Sequence, residues 1–455
     1  MSSYDLLHAY HPHSTLAVGE AGTRSVRELL QHVAAVASHL PPASSTDDRD
    51  ILVTCHDRYY LTVALLAAWQ RGRVIALPPN TREQTLDDLT SRCALALHDG
   101  HGRGQHIAQW LDSHARVEHA ATVLTVPAER PVVTIYTSGS TGTPNACRKT
   151  AAQLLGEAAT LQRTFQLTPD SCVLATVPAH HIYGLLFSIT LPLAAGARFV
   201  RDTPLLGPVI EDTAQRYNVS HLVSVPPHLR TLAESELTSL AHVAQVFSSG
   251  APLPDPTAHA LHRRFQVGVV EVLGSTETGG FAYRAAHEAA ARFRPFAGVT
   301  ISVDADQQLQ LRSPLLAAEV AQPLTCPDRI EILSDGSFRH IGRSDGVVKV
   351  GGTRMSLPEL EARVRALKGV LDVAALAIDA GSVRGQEVWL VVATERAQEL
   401  HDKDLRSELL RHYEPVLLPR RIRFVESLPR EPNGKLMRAR LVELFQTPKT
   451  ETMQP

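Results

Sequence analysis

Short runs typical of β-strands alternate along this chain with runs typical of α-helices. Ile51–Cys55 precedes the helical pattern of Tyr59–Trp69, and His221–Val225 precedes that of His228–Leu240. Alternation of this kind favours an α/β architecture whose sheets are largely parallel, because each helix returns the chain to the start of the next strand. No short internal repeat is visible, which argues against a solenoid.

Composition excludes several classes of protein. The chain has 455 residues, 44% of them hydrophobic, enough for a large domain and a smaller one. A formal net charge of −2 argues against a nucleic-acid partner. Five scattered cysteines predict a reducing compartment without disulfides. No signal-peptide pattern or apolar run long enough to span a membrane is visible, so we expect a cytoplasmic protein.

A loop rich in hydroxyl groups and glycine follows the β-like run Val132–Tyr136. It reads Thr-Ser-Gly-Ser-Thr-Gly-Thr-Pro over residues 137–144. Glycine lets backbone N–H groups approach a ligand closely, and Ser and Thr add small donors, so the loop is suited to a phosphate chain. A Walker A loop is excluded, because Arg148 stands where its second glycine belongs. A mobile Ser/Gly linker is the alternative interpretation.

A second polar turn follows another β-like run, over Glu271–Gly280. Its Ser-Thr-Glu-Thr-Gly-Gly sequence places a carboxylate, Glu277, beside hydroxyl groups. Such a carboxylate is a natural Mg²⁺ ligand when phosphate is bound nearby. An ordinary strand-to-loop turn is the alternative.

The domain boundary is predicted near Gly342. A hairpin over residues 331–341 precedes it, and Ser356 with Pro358 begins a helix after it. The predicted division is a large domain over residues 1–343, a hinge at 344–346 and a small α+β domain over 347–455. In the small domain we expect helices at 359–367 and 405–413 and strands at 370–378, 387–393 and 421–425.

Together these motifs resemble the adenylate-forming (ANL) superfamily of acyl-CoA synthetases, peptide-synthetase adenylation domains and luciferases. The phosphate signature matches from Tyr136 to Pro144, and Asn145 departs from it where the family usually has lysine. Arg148 and Lys149 lie close by, and the sequence leaves open which of them supplies the charge. The resemblance implies an α/β fold with a large N-terminal domain and a small mobile C-terminal α+β domain.

The resemblance also implies roles for the first two motifs. Thr276 would contact the α-phosphate, Glu277 with Thr137 would hold Mg²⁺, and Leu273 would give adenine an apolar contact. The implied nucleotide-binding residues are Thr137, Ser138, Gly139, Ser140, Thr141, Gly142, Gly250, Ala251, Pro252, Leu273, Gly274, Ser275, Asp328 and Arg343.

Further motifs occur in the family's order. His181, in Pro-Ala-His-His-Ile-Tyr-Gly, matches the residue beside the acyl carboxylate, and Asp345 matches the hinge. Lys435, in Pro-Asn-Gly-Lys, matches the lysine that bridges the acid and the ATP phosphate. The implied catalytic residues are Lys435, Thr276, Glu277 and His181. The implied substrate-binding residues are His181, Tyr183, Gly184, Ser248, Ser249, Gly250, Gly274 and Gly279.

The implied reaction is a two-step ligation by an acid–thiol ligase. A carboxylate attacks ATP to give acyl-AMP, and a thiol of coenzyme A or of a separate acyl carrier protein then takes the acyl group. A finer resemblance, to small ligases of xanthomonadin and aryl-polyene pigment pathways, implies a hydroxybenzoate such as 3-hydroxybenzoate. The pocket is expected from residues 181–185, 223–229, 248–251 and 273–281. A short- or medium-chain fatty acyl ligase and a non-catalytic nucleotide-binding homologue are the alternatives.

Overall fold

The computed structural model describes residues 3–44, 47–100, 102–111, 124–137, 145–343, 346–350, 353–382, 385–394, 401–413, 415–432 and 434–446. The chain divides into two compact units, Met1–Thr300 with Arg312–Gln322, and Ile301–Leu311 with Pro323–Pro455. By compactness, therefore, residues 323–343 belong to the second unit. The predicted hinge at 344–346 concerns movement and stays a prediction.

The strands in chain order are β1 Ser3–Asp5, β2 Thr15–Val18, β3 Arg24–Ser25, β4 Ile51–Val53, β5 Ile75–Leu77, β6 Leu95–His98, β7 Gln105–His106, β8 Thr125–Pro127, β9 Pro131–Thr137, β10 Asn145–Thr150, β11 Cys172–Ala175, β12 Arg198–Val200, β13 His221–Ser224, β14 Gln245–Ser248, β15 Gly268–Ser275, β16 Gly279–Ala285, β17 Arg294–Pro295, β18 Thr300–Val303, β19 Gln308–Arg312, β20 Leu324–Ile332, β21 Phe338–Arg343, β22 Val347–Val350, β23 Thr353–Ser356, β24 Val370–Ser382, β25 Gly385–Thr394 and β26 Arg421–Val425.

The α-helices are α1 Val26–His39, α2 Arg58–Gln70, α3 Glu83–Arg92, α4 Ala108–Leu111, α5 Ala151–Phe165, α6 Ile182–Leu185, α7 Leu191–Ala195, α8 Gly207–Arg216, α9 Pro226–Glu234, α10 Asp255–Phe265, α11 Leu357–Arg365, α12 Asp402–Leu409 and α13 Arg438–Glu443. A π-helical turn, Leu186–Thr190, joins α6 to α7, and a 3₁₀ turn covers Pro415–Leu417. Among the described residues, no helix has the length and apolarity needed to cross a bilayer.

Two large sheets build the first unit. One has the order β10-β9-β5-β4-β6-β7, and the other β17-β16-β15-β14-β13-β11-β12-β2-β3. The inner strands β15, β14, β13, β11, β12 and β2 are parallel, which confirms the predicted α/β architecture. Because carboxyl ends of parallel strands meet at one edge, residues that follow β11, β13 and β14 are neighbours.

Helices α2 and α5 and the π-helical turn supply apolar side chains to the main core of the first unit. Leu65, Leu154, Phe187 and Phe247 are buried in one cluster with residues of both large sheets. A second cluster forms where α8, α9 and α10 cover the opposite face of β11, β13 and β14. The central strands are therefore buried on both faces, as continuous apolar strands require.

Arg58, at the start of α2, is a buried cation that joins this helix to the carboxyl edge of the larger sheet. Its guanidinium donates to the carbonyl oxygens of Ala175 and Val177, at the end of β11, and to that of Asp202. It also donates to Ser188 Oγ. Burial lowers the pKa of Arg58 to about 10. Hydrogen bonds to several carbonyl oxygens compensate for the desolvation of a charge that remains protonated at neutral pH.

The second unit contains the sheet of β22–β26, covered by α11 and α12. Long strands β24 and β25 pair along most of their length, and β26 joins β25 in parallel. The predicted helix start at Ser356 is confirmed, since its side chain accepts a hydrogen bond from the Glu359 N–H. The predicted second helix ends at Leu409 instead of residue 413, and the helix predicted to reach Leu240 ends at Glu234, where Ser235 is extended. Leu237 and Leu240 beyond that point are nevertheless buried in the second cluster, so the segment packs against the core without being helical.

Candidate functional site

Hydroxyl groups from neighbouring strands lie in a row at the carboxyl edge of the larger sheet. Thr176 Oγ1 lies 2.8 Å from Ser224 Oγ and 3.0 Å from His228 Nδ1. Ser224 and Ser248 are register partners on β13 and β14, so their side chains share one face. Ser248 is fully buried, and its Oγ has no hydrogen-bond partner within the described part of the chain. We call Thr176, Ser224 and Ser248 the hydroxyl row.

Tyr183 has a second buried hydroxyl without a hydrogen-bond partner in the described part of the chain. It lies on α6, and its ring packs 5.0 Å from that of Phe187. Burial raises the pKa of Tyr183, and the Ser224 backbone partly opposes this shift. The two groups do not reach hydrogen-bond geometry, since the Tyr183 hydroxyl has no partner among the residues described. A buried donor without a partner is costly, and it marks a place where a ligand would restore the bond.

Gly184 is fixed by close packing. A Cβ built there would lie 2.0 Å from the carbonyl oxygen of Pro178, a backbone atom that cannot move away cheaply. His181 precedes α6 in extended conformation, as its N-cap. The neighbouring His180 is buried, and desolvation with nearby His56 lowers its pKa to about 3. His180 is therefore neutral, while the roles of His181 and Gly184 toward an acid stay predictions.

The predicted adenine loop after β14 is anchored from both sides. Gly250 adopts a φ of 85°, a left-handed conformation that glycine tolerates best. The N–H of Leu253 donates to Glu271, and the carbonyl of Leu253 accepts from Arg284. Glu271 and Arg284 also pair with each other. This ion pair, absent from the sequence prediction, holds Leu253 at the end of the loop that contains Gly250, Ala251 and Pro252. Ser249, by contrast, donates to the carbonyl of Val272.

The second predicted motif forms the tight Ser275–Gly280 turn between β15 and β16. Ser275 and Thr278 exchange hydrogen bonds between side chain and backbone, which closes the turn. Gly274 is required here, because a Cβ would lie 2.4 Å from the carbonyl oxygen of Gly279. Thr276 is half-buried and Glu277 exposed. The turn thus presents the two predicted nucleotide and metal ligands, while Leu273 and Ser275 flank them.

Strand β10 contacts this turn directly. The Lys149 ammonium is buried and donates to the carbonyl of Glu277 at 2.9 Å. Arg148, the adjacent residue, points to the opposite face and pairs with Asp50 at 3.4 Å. Of the two cations near Asn145, Lys149 is therefore the one that reaches the predicted catalytic turn. Among the remaining phosphate-loop residues, Thr137 ends β9, opposite Asn145. Ser138, Gly139, Ser140, Thr141 and Gly142 lie outside the described residues.

The predicted metal ligands suit Mg²⁺ bound together with a nucleotide. Glu277 offers an exposed carboxylate and Thr137 a hydroxyl, both of which are oxygen ligands. Across the described ranges, no cluster of three His, Cys, Asp or Glu side chains could hold a metal by itself. Mg²⁺ commonly binds through one or two carboxylates plus substrate phosphates, so these residues fit such an ion.

In the second unit, the predicted ribose ligand Asp328 lies on β20, opposite Arg343 of β21. His340, also on β21, lies 2.8 Å from the Asp328 carboxylate through Nε2. Sequence reasoning missed His340, because no motif marks it. The pairing follows from the predicted hairpin, which places β21 beside β20. Asp345, the predicted hinge residue, lies outside the described residues.

Lys435 ends a short turn in the second unit. The N–H of Gly434 donates to the carbonyl of Glu431, and the N–H of Glu431 donates to the carbonyl of Lys435. Arg430 donates to the carbonyl of Gly434 at 2.6 Å. The Lys435 side chain is exposed. Arg430 supports this turn but was not predicted, since no spacing rule links it to Lys435.

Comparisons with known proteins identify the family of this chain. The model of the AMP-binding enzyme family matches residues 8–311, and that of the AMP-binding enzyme C-terminal domain matches residues 359–435. The chain is 30% identical over 328 residues to a 4-coumarate–CoA ligase of Rhodobacter capsulatus, covering 72% of this chain and 79% of that enzyme. It is 27% identical over 335 residues to a p-hydroxybenzoic acid–AMP ligase of Mycobacterium tuberculosis, covering 67% and 48% respectively.

A solved structure extends the likeness to both units. ATP-bound MatB from Rhodopseudomonas palustris superposes with a TM-score of 0.81 at 20% identity, over 96% of each chain. At that identity the likeness shows the fold alone, and it confirms the predicted fold with its large N-terminal and smaller C-terminal domains. The predicted enzyme class, an acid–thiol ligase acting through an acyl adenylate, is confirmed by the family and its relatives. The chain therefore belongs to the AMP-binding enzyme family.

Proposed function

We propose that this enzyme uses ATP and Mg²⁺ to adenylate a hydroxylated aromatic acid, such as 3-hydroxybenzoate, and transfers the acyl group to a pantetheine thiol. The observation that carries the substrate assignment is that two buried hydroxyls, Tyr183 OH and Ser248 Oγ, have no hydrogen-bond partner among the described residues. A ring hydroxyl could supply the missing hydrogen bond to either of these oxygens. An aliphatic chain would leave both oxygens unpaired, at about 1–3 kcal/mol each.

Aromatic side chains near Tyr183 support the choice of a ring. Phe187 lies 5.0 Å from both Tyr183 and Phe247, in tilted arrangements. Flat apolar walls with a few directional polar groups are typical of pockets for small aromatic ligands. The names of the 4-coumarate and p-hydroxybenzoate relatives point to the same class of acid.

In the first step, the acid's carboxylate oxygen bonds to the α-phosphorus and pyrophosphate leaves. Thr276 would donate to the α-phosphate, and Lys435 would stabilise negative charge shared between the acid and the phosphate. Bound Mg²⁺, held by Glu277 and Thr137 with the phosphates, would supply further charge neutralisation. His181 would orient the carboxylate. Asp328 and Arg343 would hold the ribose.

In the second step, the thiolate sulfur attacks the acyl carbon, and AMP leaves. We propose that the small domain turns about Asp345, so that Lys435 withdraws before the thiol arrives. The resemblance to ligases of aryl-polyene pigment pathways supports a carrier protein as the natural donor of that thiol. Coenzyme A offers the same pantetheine chemistry.

The test is ATP–pyrophosphate exchange with benzoate, its three monohydroxy isomers, cinnamates and fatty acids. We expect a hydroxybenzoate to be preferred over benzoate by about 10-fold or more, as one hydrogen bond to a buried polar group implies. Tyr183→Phe should reduce that ratio toward one. Tyr217→Phe, a variant of a tyrosine at the end of α8, should leave it unchanged.

Other outcomes separate the alternatives. Exchange only with fatty acids would contradict the aromatic assignment, and MgATP binding without exchange for any acid would favour a non-catalytic homologue. Thioester formation is then measured with coenzyme A and with a phosphopantetheinylated carrier protein in separate reactions. Faster transfer to the carrier would support the carrier-dependent assignment.

A further inference from the structure

Side chains of the consecutive elements β10 and α5 contact the Ser275–Gly280 turn. Thr150 ends β10 and caps α5, so Lys149 and Glu157 belong to one continuous strand–helix segment. Lys149 donates to the Glu277 carbonyl at 2.9 Å, and Cys147, two residues earlier on the same strand face, donates to the Thr276 carbonyl at 3.5 Å. Side chains of β10 thereby contact the backbone of both predicted ligand residues.

Glu157 contacts the other end of the turn. It is buried on α5, and its Oε1 accepts from the N–H of Gly280 at 2.6 Å. A Cβ at Gly279 would lie 2.7 Å from Glu157 Oε2, so the carboxylate fits only against a glycine. The charge of Lys149 attracts the Glu157 carboxylate. Opposite charges thus hold the turn at its centre and at its end.

We propose that Lys149 and Glu157 are positioning residues that hold the turn so that Thr276 and Glu277 meet the nucleotide and its Mg²⁺. This inference rests on the proposed function of that turn. It also explains the departure at Asn145, since the cation near the catalytic turn is supplied four residues later on β10. Arg148, whose partner is Asp50, has no part in it.

The proposal predicts a specific defect. Lys149→Met removes the donor to the Glu277 carbonyl and the positive charge that attracts the Glu157 carboxylate. We expect MgATP affinity, measured by calorimetry without any acid, to fall by about 10- to 100-fold, with a higher Mg²⁺ concentration needed for half-saturation. Lys149→Arg should restore part of the affinity. Arg148→Met, which removes an equal charge one residue earlier, should bind MgATP within about 3-fold of wild type.

A second variant separates positioning from folding. Glu157→Gln keeps an acceptor for Gly280 but removes the charge, so the double variant Lys149→Met/Glu157→Gln should bind MgATP better than the sum of the single losses predicts. A merely structural pair would lower the thermal midpoint and leave the affinity and Mg²⁺ dependence of the folded protein unchanged. That result, or wild-type binding by Lys149→Met, would overturn the proposal.

The MgATP titration and the ATP–pyrophosphate exchange assay together distinguish the two proposals. If the wild-type enzyme binds MgATP but activates none of the acids, only the acid assignment is refuted. If the wild-type enzyme catalyses exchange and the Lys149→Met variant binds MgATP as tightly as the wild type does, only the positioning role is refuted. A wild-type enzyme that does not bind MgATP would refute both.

Discussion

Arg430 pairs with Asp372 at 2.7 Å and at the same time donates to the carbonyl of Gly434. Asp372 is buried on β24, so the ion pair connects the central sheet of the second unit to the turn that carries Lys435. A lysine on an exposed turn has many conformations. Fixing the backbone on its N-terminal side reduces the entropy that Lys435 must lose when it binds the phosphate.

Arg430→Met should therefore slow adenylation without changing Lys435 itself. We expect ATP–pyrophosphate exchange to fall by about 10-fold, mainly in kcat, because the loss is felt when Lys435 is immobilised. Arg440→Met is the matched control, since Arg440 is 63% exposed and pairs with Glu443 three residues later. Equal exchange rates in the two variants would contradict a positioning role for Arg430.

Removal of Lys435 should separate the two chemical steps. Lys435→Ala is expected to lower adenylation by about 10²–10³-fold, the usual effect of one lost charge-stabilising donor. Thioester formation from supplied acyl-AMP should fall much less, because Lys435 is proposed to have withdrawn by then. Rapid-quench measurement of each half-reaction tests this. Equal losses in both would refute the division of labour.

Glu157 should make folding stability depend on pH. Burial raises its pKa from 4.5 to about 7, so the folded protein binds more protons than the unfolded chain between these values. Stability from this group is therefore complete below about pH 4.5 and decreases as the pH rises to about 7, by about 3 kcal/mol in all.

Denaturant unfolding of Glu157→Gln across pH 4.5–8 measures this contribution, since the variant lacks the titrating group. As the pH rises, the free energy of unfolding of the wild type should fall relative to that of the variant. Glu319→Gln, at an exposed position, should follow the wild-type profile. Parallel profiles for wild type and Glu157→Gln would contradict the raised pKa.

Gly279→Ala should destabilise the protein by more than backbone strain alone. Gly279 has a φ of 67°, and a Cβ there would lie 3.0 Å from Leu315 as well as against Glu157. Gly22, with a φ of 92° and nothing within 4 Å, isolates the strain. We expect thermal unfolding to show a loss of about 2–4 kcal/mol for Gly279→Ala and about 1 kcal/mol for Gly22→Ala. Similar losses would show that packing against Glu157 is unimportant.

Local patterns predicted much of the fold. Alternating strands and helices revealed the parallel sheets, and Ser356 with Pro358 located the start of α11. The glycine- and hydroxyl-rich composition after a β-run correctly located the turn that contains Thr276 and Glu277, because tight turns need particular residue types, while the roles of these two residues stay predictions. Helix ends were less certain, as the early end of α9 at Glu234 illustrates.

The supporting residues could not be read from the sequence. Lys149 and Glu277 are separated by 128 positions, and Arg430 and Asp372 by 58. Their pairing depends on which strands become neighbours, which is a tertiary property. His340 is an intermediate case, since the hairpin was predicted but its register with Asp328 was not. A lone Lys, Arg or Glu in a sequence is most often a solvated surface residue, so nothing local distinguishes these.

The contacts of Arg58 restrict which substitutions could alter the acid specificity of this enzyme. Its guanidinium is bonded to the carbonyl oxygens of Ala175 and Val177, which flank Thr176 in the hydroxyl row. A substitution that shifts Thr176 would also strain the bonds that join α2 to the larger sheet. A substitution at this position that changed acid selectivity would therefore also change the stability of the fold. We expect substitutions that admit new acids to be tolerated more readily at Ser248 and Tyr183, because no described residue depends on their hydroxyls for a hydrogen bond.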